Sequence, residues 1–193
     1  MTETHPSESI IPDILPPLDR PITLIGMMGS GKSTLGAALA RLMGRRFFDS
    51  DKVIEAENGK TIPEIFEEFG DASFRQMEQQ TLRNLFEAHP DAVIATGGGS
   101  ITIPETASMI FGQSLCLWIH APVELLVDRT SRQKNRPLLK SGDPHAILSG
   151  LLEKRGPIYE RAPIHVETNE GPVKKIAEQA LRQIREYLLE QSP

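Results

Sequence analysis

Cysteine occurs once in the 193 residues, at Cys116, so no disulfide can close within the chain, and its setting in the apolar run Leu115–Ile119 makes that thiol core packing rather than a reactive group. No apolar stretch nears the roughly 20 residues of a membrane span, and the N-terminus lacks a basic region followed by an apolar one, so neither a transmembrane helix nor a secretory signal is expected. Positive charge is not in excess. With 21 Lys+Arg against 26 Asp+Glu the net charge is -5 and no basic block stands out, which argues against a general nucleic-acid or anionic-membrane surface. An anionic ligand would have to be met by a local cluster of arginines. The histidines, His5, His89, His120, His145 and His165, have no zinc spacing and receive no catalytic role. A chain of this size is expected to form one domain in the cytoplasm, burying roughly 70% of the surface its unfolded form exposes.

The first 20 residues carry Pro6, Pro12, Pro16 and Pro17 among Ser, Thr and Glu, a composition that propagates no helix and reads as a mobile leader. From residue 21 onward, short β-branched or aromatic runs (Ile22–Ile25, Arg46–Asp49, Val93–Thr96, Leu115–Ile119, Ile164–Glu167) alternate with amphipathic segments (Ser33–Met43, Phe74–Ala88, Val123–Thr130, Ala146–Arg155, Val173–Leu189). That alternation predicts a doubly wound α/β domain, three layers with a five-stranded parallel sheet in the middle. Ligands of such sheets bind beyond the carboxyl ends of the strands, where the strand order reverses.

Gly26–Ser33 reads Gly-Met-Met-Gly-Ser-Gly-Lys-Ser, a complete G-x-x-x-x-G-K-[ST] phosphate loop between an apolar run and a helix-like stretch. Its glycines let successive N–H groups wrap phosphate oxygens at the positive end of the next helix, Lys32 supplies a point charge to the β and γ phosphates, and the Ser33 hydroxyl is the expected direct ligand of a magnesium ion. Asp49 and Asp51 follow the second strand. Asp49 is placed to hold magnesium-bound water and Asp51 to orient or deprotonate an acceptor hydroxyl; alternatively Asp51 only caps the next helix. Arg75 and Glu78, three apart on a helix, form either a solvated pair or a guanidinium fixed by its glutamate for bidentate contact with a carboxylate. Gly97, Gly98 and Gly99 follow the third strand directly, as a plain loop or as backbone a ligand can touch. Arg129, Arg132, Lys134 and Arg136 lead into Arg-Pro-Leu-Leu, a basic loop or a lid over about residues 130–145 that brings guanidinium charge to the phosphates. Arg155 either steadies the end of its helix through the dipole or serves the site.

In order, Gly-Met-Met-Gly-Ser-Gly-Lys-Ser-Thr-Leu-Gly, Phe-Asp-Ser-Asp, Phe-Arg-Gln-Met-Glu, Gly-Gly-Gly, Arg-Pro-Leu-Leu and Lys-Arg-Gly-Pro-Ile-Tyr resemble the shikimate kinase family from about Ile22 to the C-terminal helix. The resemblance implies the nucleoside monophosphate kinase-like P-loop fold and transfer of the γ-phosphoryl of ATP to the 3-hydroxyl of shikimate, on the route to chorismate and the aromatic amino acids. It further implies that Gly29, Ser30, Gly31, Lys32, Ser33 and Thr34 cradle ATP, with Ser33 on one magnesium ion and Asp49 in its outer shell. Asp51 would hold the acceptor hydroxyl as base. Arg75 and Arg155 would grip the shikimate carboxylate with Glu78 behind the former, and the Gly97–Gly99 backbone, Gly98 above all, would meet the ring hydroxyls. Arg136 would reach the phosphates from the lid, and Arg129 would lie over the adenine with the Asn169–Pro172 turn. ATP and shikimate are the implied partners, and a monomer is expected. Gluconate kinases and nucleoside monophosphate kinases share the scaffold, and a nucleotide-binding module without turnover is the rival of another class. The Phe-Arg-x-x-Glu and triple-glycine pair tilts the choice away from the former, since a nucleobase acceptor calls for stacking and base-edge contacts, and the intact Lys32, Ser33, Asp49 and Asp51 argue against the latter.

Overall fold

In the computed structural model, residues 16–132 and 142–191 are described. The strands are β1 (Ile22–Ile25), β2 (Phe47–Asp49), β3 (Val93–Ala95), β4 (Leu115–His120) and β5 (Ile164–Glu167). They form one parallel sheet, as the alternating pattern predicts, and the structure sets its order as β2-β3-β1-β4-β5. β1 is central, with Ile22 in register with Val93 on one side and Leu115 on the other, and all four of its residues are buried. The inner strands β1, β3 and β4 are covered on both faces, have no reason to alternate polar with apolar residues and read as short continuous apolar runs, whereas the edge strand β5, Ile-His-Val-Glu, alternates buried with exposed residues.

The helices are α1 (Lys32–Met43), α2 (Ser50–Asn58), α3 (Ile62–Ala88), α4 (Pro104–Gln113), α5 (Val123–Ser131), α6 (Pro144–Tyr159) and α7 (Val173–Glu190). One face of the sheet carries α1 and α7, where Leu35 and Leu39 pack with Ile176, Ala180 and Ile184 over Leu24 and Leu117. The other carries α3, α4, α5 and α6, which contribute Leu82, Phe86, Ile110, Leu126, Leu148 and Tyr159. A smaller cluster of Ile54, Ile65 and Phe74 joins α2 to α3. Ahead of β1, Arg45 donates to the carbonyls of Leu18 (2.8 Å) and Arg20 (3.4 Å), tying the end of the proline-rich stretch to the domain.

Three helices differ from the sequence expectation. α3 begins twelve residues before Phe74, because Pro63 sits in the first turn, where its missing N–H costs nothing, and Glu64 accepts from both the N–H and the hydroxyl of Thr61 at 2.7 Å. The chain then bends at Gly70 (φ 75°, ψ 173°), so the second half starts afresh and aims Arg75 separately from the first. α4 also opens on a proline, Pro104, and inserts Ala107 and Ile110 into the core. α6 continues through Gly156 and Pro157 to Tyr159, so Arg155 is not in its final turn and the helix-dipole account of that residue falls away.

Candidate active site

The phosphate loop leaves β1 at the point where its neighbours diverge. Gly26 has φ 140° and lies so close to the Ile119 carbonyl oxygen of β4 that any Cβ would collide with it; Gly31, at φ 91°, is the N-cap of α1. Only glycine fits such a turn. Lys32 is buried with Nζ donating to the carbonyls of Gly26 (2.8 Å) and Met27 (2.9 Å), which folds the ammonium back over the loop. Ser30 is wholly buried, while Ser33 and Thr34 face solvent at the start of α1.

The Ser33 hydroxyl donates to Asp49 Oδ2. Asp49 Oδ1 accepts from the N–H groups of Asp51 (3.1 Å) and Lys52 (3.4 Å), so Asp49, not Asp51, caps α2. The capping alternative for Asp51 is thereby corrected: the strand ends one residue before the helix starts, and the residue left at the boundary is the first aspartate. Asp51, inside the first turn, instead faces Gly97 of the loop after β3, where a Cβ would stand 2.9 Å from Asp51 Oδ1 and 2.5 Å from Glu78 Oε1. No φ of Gly97, Gly98 or Gly99 is positive. Their common requirement is close approach: a Cβ on Gly98 would meet Met28 N at 3.3 Å, and one on Gly99 would meet Arg75 Nη1 at 2.8 Å.

Arg75 and Glu78 are a structured pair, not a solvated one. Glu78 is 1% exposed and accepts from Arg75 Nη1 at 2.9 Å and from the Ser100 hydroxyl at 2.6 Å, so that each carboxylate oxygen has a partner. The Arg75 guanidinium lies over the rings of Phe74 (5.1 Å) and Phe66 (5.9 Å), with Asp71 at Nε. From the opposite side, Arg155 Nη1 donates to the Gly98 carbonyl at 3.0 Å. The two arginines, from α3 and α6, thus abut neighbouring glycines of one loop.

On the far side of the phosphate loop, Arg129 of α5 donates to Gly29 O (3.3 Å), Thr168 Oγ1 (3.1 Å) and Asn169 O (2.7 Å), while the Thr168 hydroxyl lies 2.9 Å from Ser30 O. Pro172 caps the start of α7. Arg129 therefore stitches the loop to the turn after β5; Thr168 was not singled out from sequence, and no local pattern would have found it. Arg132 pairs with Asp128 at 2.8 Å on the exposed face of α5. Arg136 and Lys134 lie outside the described residues, as do most of the proposed lid and Met1–Leu15.

Burial pushes the Tyr159 hydroxyl up to about 12 against the opposing pull of Arg155. Because the folded value exceeds the roughly 10 of an unfolded tyrosine, this group's stabilisation is complete below pH 10 and is lost as pH climbs toward 12, at a slope of about 1.4 kcal/mol per pH unit. Urea unfolding from pH 9 to 12 is expected to show that component in the wild-type chain and not in Tyr159→Phe. The buried Cys116 thiol is likewise pushed up, which leaves it protonated and unreactive.

Residues 28–185 match the profile of the family described as Shikimate kinase. The chain is 42% identical over 167 residues to a shikimate kinase of Nitrosococcus oceani, covering 86% of this chain and 87% of that one, and 44% identical to one of Acinetobacter baylyi, covering 84% and 91%. Among solved structures, the shikimate kinase from Acinetobacter baumannii in complex with shikimate superposes with a TM-score of 0.83 at 39% identity, over 90% of this chain and 96% of that one. A gluconokinase from Sinorhizobium meliloti matches at a TM-score of 0.52 and 20% identity, a likeness of fold alone.

Proposed function

The chain belongs to the shikimate kinase family, and from that premise we propose that Asp51, Arg75, Arg155 and the phosphate loop carry the reaction on the geometry described above. It is an ATP-dependent phosphotransferase that moves the γ-phosphoryl group to the 3-hydroxyl of shikimate, giving shikimate 3-phosphate and ADP in aromatic amino acid biosynthesis. The observation that supports this assignment of residues is the meeting of Arg75 and Arg155 on one triple-glycine loop beside Asp51.

Shikimate is a small anionic triol that has to be held against a polyanionic nucleotide. Arg75, its planar fork fixed by Glu78 and the two phenylalanines, presents its outer nitrogens to the carboxylate, and Arg155 closes on it from α6. The ring hydroxyls face the Gly97–Gly99 backbone, and the 3-hydroxyl reaches Asp51. Asp51 accepts the hydroxyl proton as the new oxygen–phosphorus bond forms and the bond from the γ phosphorus to the bridging oxygen of ADP breaks. Lys32 neutralises charge on the β and γ phosphates, and most of the acceleration comes from positioning and charge stabilisation. Arg129 and the Asn169–Pro172 turn flank the adenine.

Ser33 and Asp49, two oxygen donors joined by a hydrogen bond next to the phosphate loop, suit a hard cation such as Mg2+. Ser33 would hold it directly and Asp49 through water, and the ion supplies charge neutralisation on the phosphates when bound. The same proposal takes the working unit to be a monomer, acting in the cytoplasm where ATP is supplied. Arg136 as a phosphate-side arginine rests on the family resemblance.

Coupled ADP release with shikimate, gluconate and nucleoside monophosphates is expected to rank shikimate first by orders of magnitude in kcat/KM; comparable turnover of another acceptor would contradict the assignment. Arg75→Lys is expected to raise the KM for shikimate at least about fivefold, more than ~1 kcal/mol, with the KM for ATP unchanged, because a point charge cannot reproduce bidentate pairing. An unchanged shikimate KM would remove Arg75 from the site.

A further inference from the structure

Tyr159 is completely buried on the last turn of α6 and takes no part in the reaction as described. Its hydroxyl donates to the Gly98 carbonyl at 2.8 Å, and Arg155, one turn earlier on the same helix, donates Nη1 to that same oxygen at 3.0 Å. Met27 Sδ of the phosphate loop lies 3.8 Å from the hydroxyl, and the ring is stacked on Trp118 of β4 with centroids 5.9 Å apart. Gly98 itself rests against Met28 N and Gly26 O. Two donors from one helix on one carbonyl fix its direction, and only one of them is anchored in the core. Arg155 is half-buried and would pivot with the loop; Tyr159 is wedged and cannot.

We propose that Tyr159 is a positioning residue for Arg155: by clamping the Gly98 carbonyl from inside the core, it sets the angle at which the outer edge of the Arg155 guanidinium meets the acceptor carboxylate. The residue that carries this carbonyl is held close to the phosphate loop as well, where a Cβ on Gly98 would meet Met28 N at 3.3 Å. The shared carbonyl also explains why α6 runs on through Pro157: ending at Arg155 would leave no tyrosine to hold the carbonyl. The effect belongs to substrate binding, because neither Tyr159 nor Gly98 O contacts the reacting phosphorus in this reading.

The inference rests on Arg155 gripping the carboxylate, so the test compares Tyr159→Phe, Arg155→Ala and the double variant for shikimate KM, ATP KM and kcat. Arg155→Ala is expected to raise the shikimate KM at least tenfold. Tyr159→Phe, which keeps the ring and removes the hydroxyl, is expected to raise it three- to tenfold with the ATP KM and kcat within twofold. Added to Arg155→Ala, it is expected to change the shikimate KM by less than twofold, since nothing is left to position. If Arg155→Ala raises the shikimate KM but Tyr159→Phe does not, or if Tyr159→Phe raises both KM values alike or keeps its full effect without Arg155, the positioning role is overturned and the Arg155 assignment stands. If Arg155→Ala itself leaves shikimate unaffected, the Arg155 assignment fails first. For a Tyr159→Phe chain of lowered melting temperature, calorimetric titration with shikimate well below that temperature reads the same contrast.

Discussion

Replacing Asp51 by asparagine is expected to lower kcat by about 10³ or more while leaving ATP affinity within a few fold. The substitution keeps size and shape, so the close contact with Gly97 persists, yet the negative charge that orients the acceptor hydroxyl and accepts its proton is gone. On the nucleotide side, α2 is capped by Asp49, and it is Asp49 that the Ser33 hydroxyl reaches. Steady-state kinetics together with calorimetric ATP titration separate the two consequences. A parallel loss of ATP binding would move Asp51 from the acceptor to the nucleotide.

Gly97→Ala is expected to reduce kcat/KM for shikimate by about 10², although Gly97 contributes no side chain and its φ is ordinary. Its methyl would stand 2.5 Å from Glu78 Oε1 and 2.9 Å from Asp51 Oδ1, closer than carbon and oxygen approach. Glu78 cannot retreat without breaking its bonds to Arg75 and Ser100, so the displacement passes to Asp51 and to the carboxylate-binding arginine together. A shift of the order of 1 Å at such groups is enough for a loss of that size. Both kcat and the shikimate KM should change, and a variant with wild-type kinetics would show that the loop, rather than the two carboxylates, gives way.

The parallel sheet was legible because its inner strands are covered on both faces and appear as bounded apolar runs, and the phosphate loop because its turn demands particular residues in a fixed order. The first half of α3 was hidden by Pro63 and Gly70, two residues that punctuate most chains; Thr61 with Glu64 three residues on was the local signal that a helix begins there. Which aspartate caps α2 turned on the exact residue at which β2 stops, the least readable property of any element. The triple glycine announced a plain loop or backbone a ligand can touch, whereas the close constraints are the side chains of Asp51, Glu78 and Arg75 against Gly97 and Gly99 and the phosphate-loop backbone against Gly98. Tyr159 and Thr168 bond to carbonyls 61 and 138 residues away, contacts that no spacing rule along the chain encodes.

A crystal structure of the chain with shikimate, ADP and magnesium ions tests the central claim most directly. The account predicts the carboxylate of the acid between the Arg75 and Arg155 guanidinium groups, with its 3-hydroxyl on Asp51. Shikimate bound elsewhere, with either arginine turned to solvent, would contradict it.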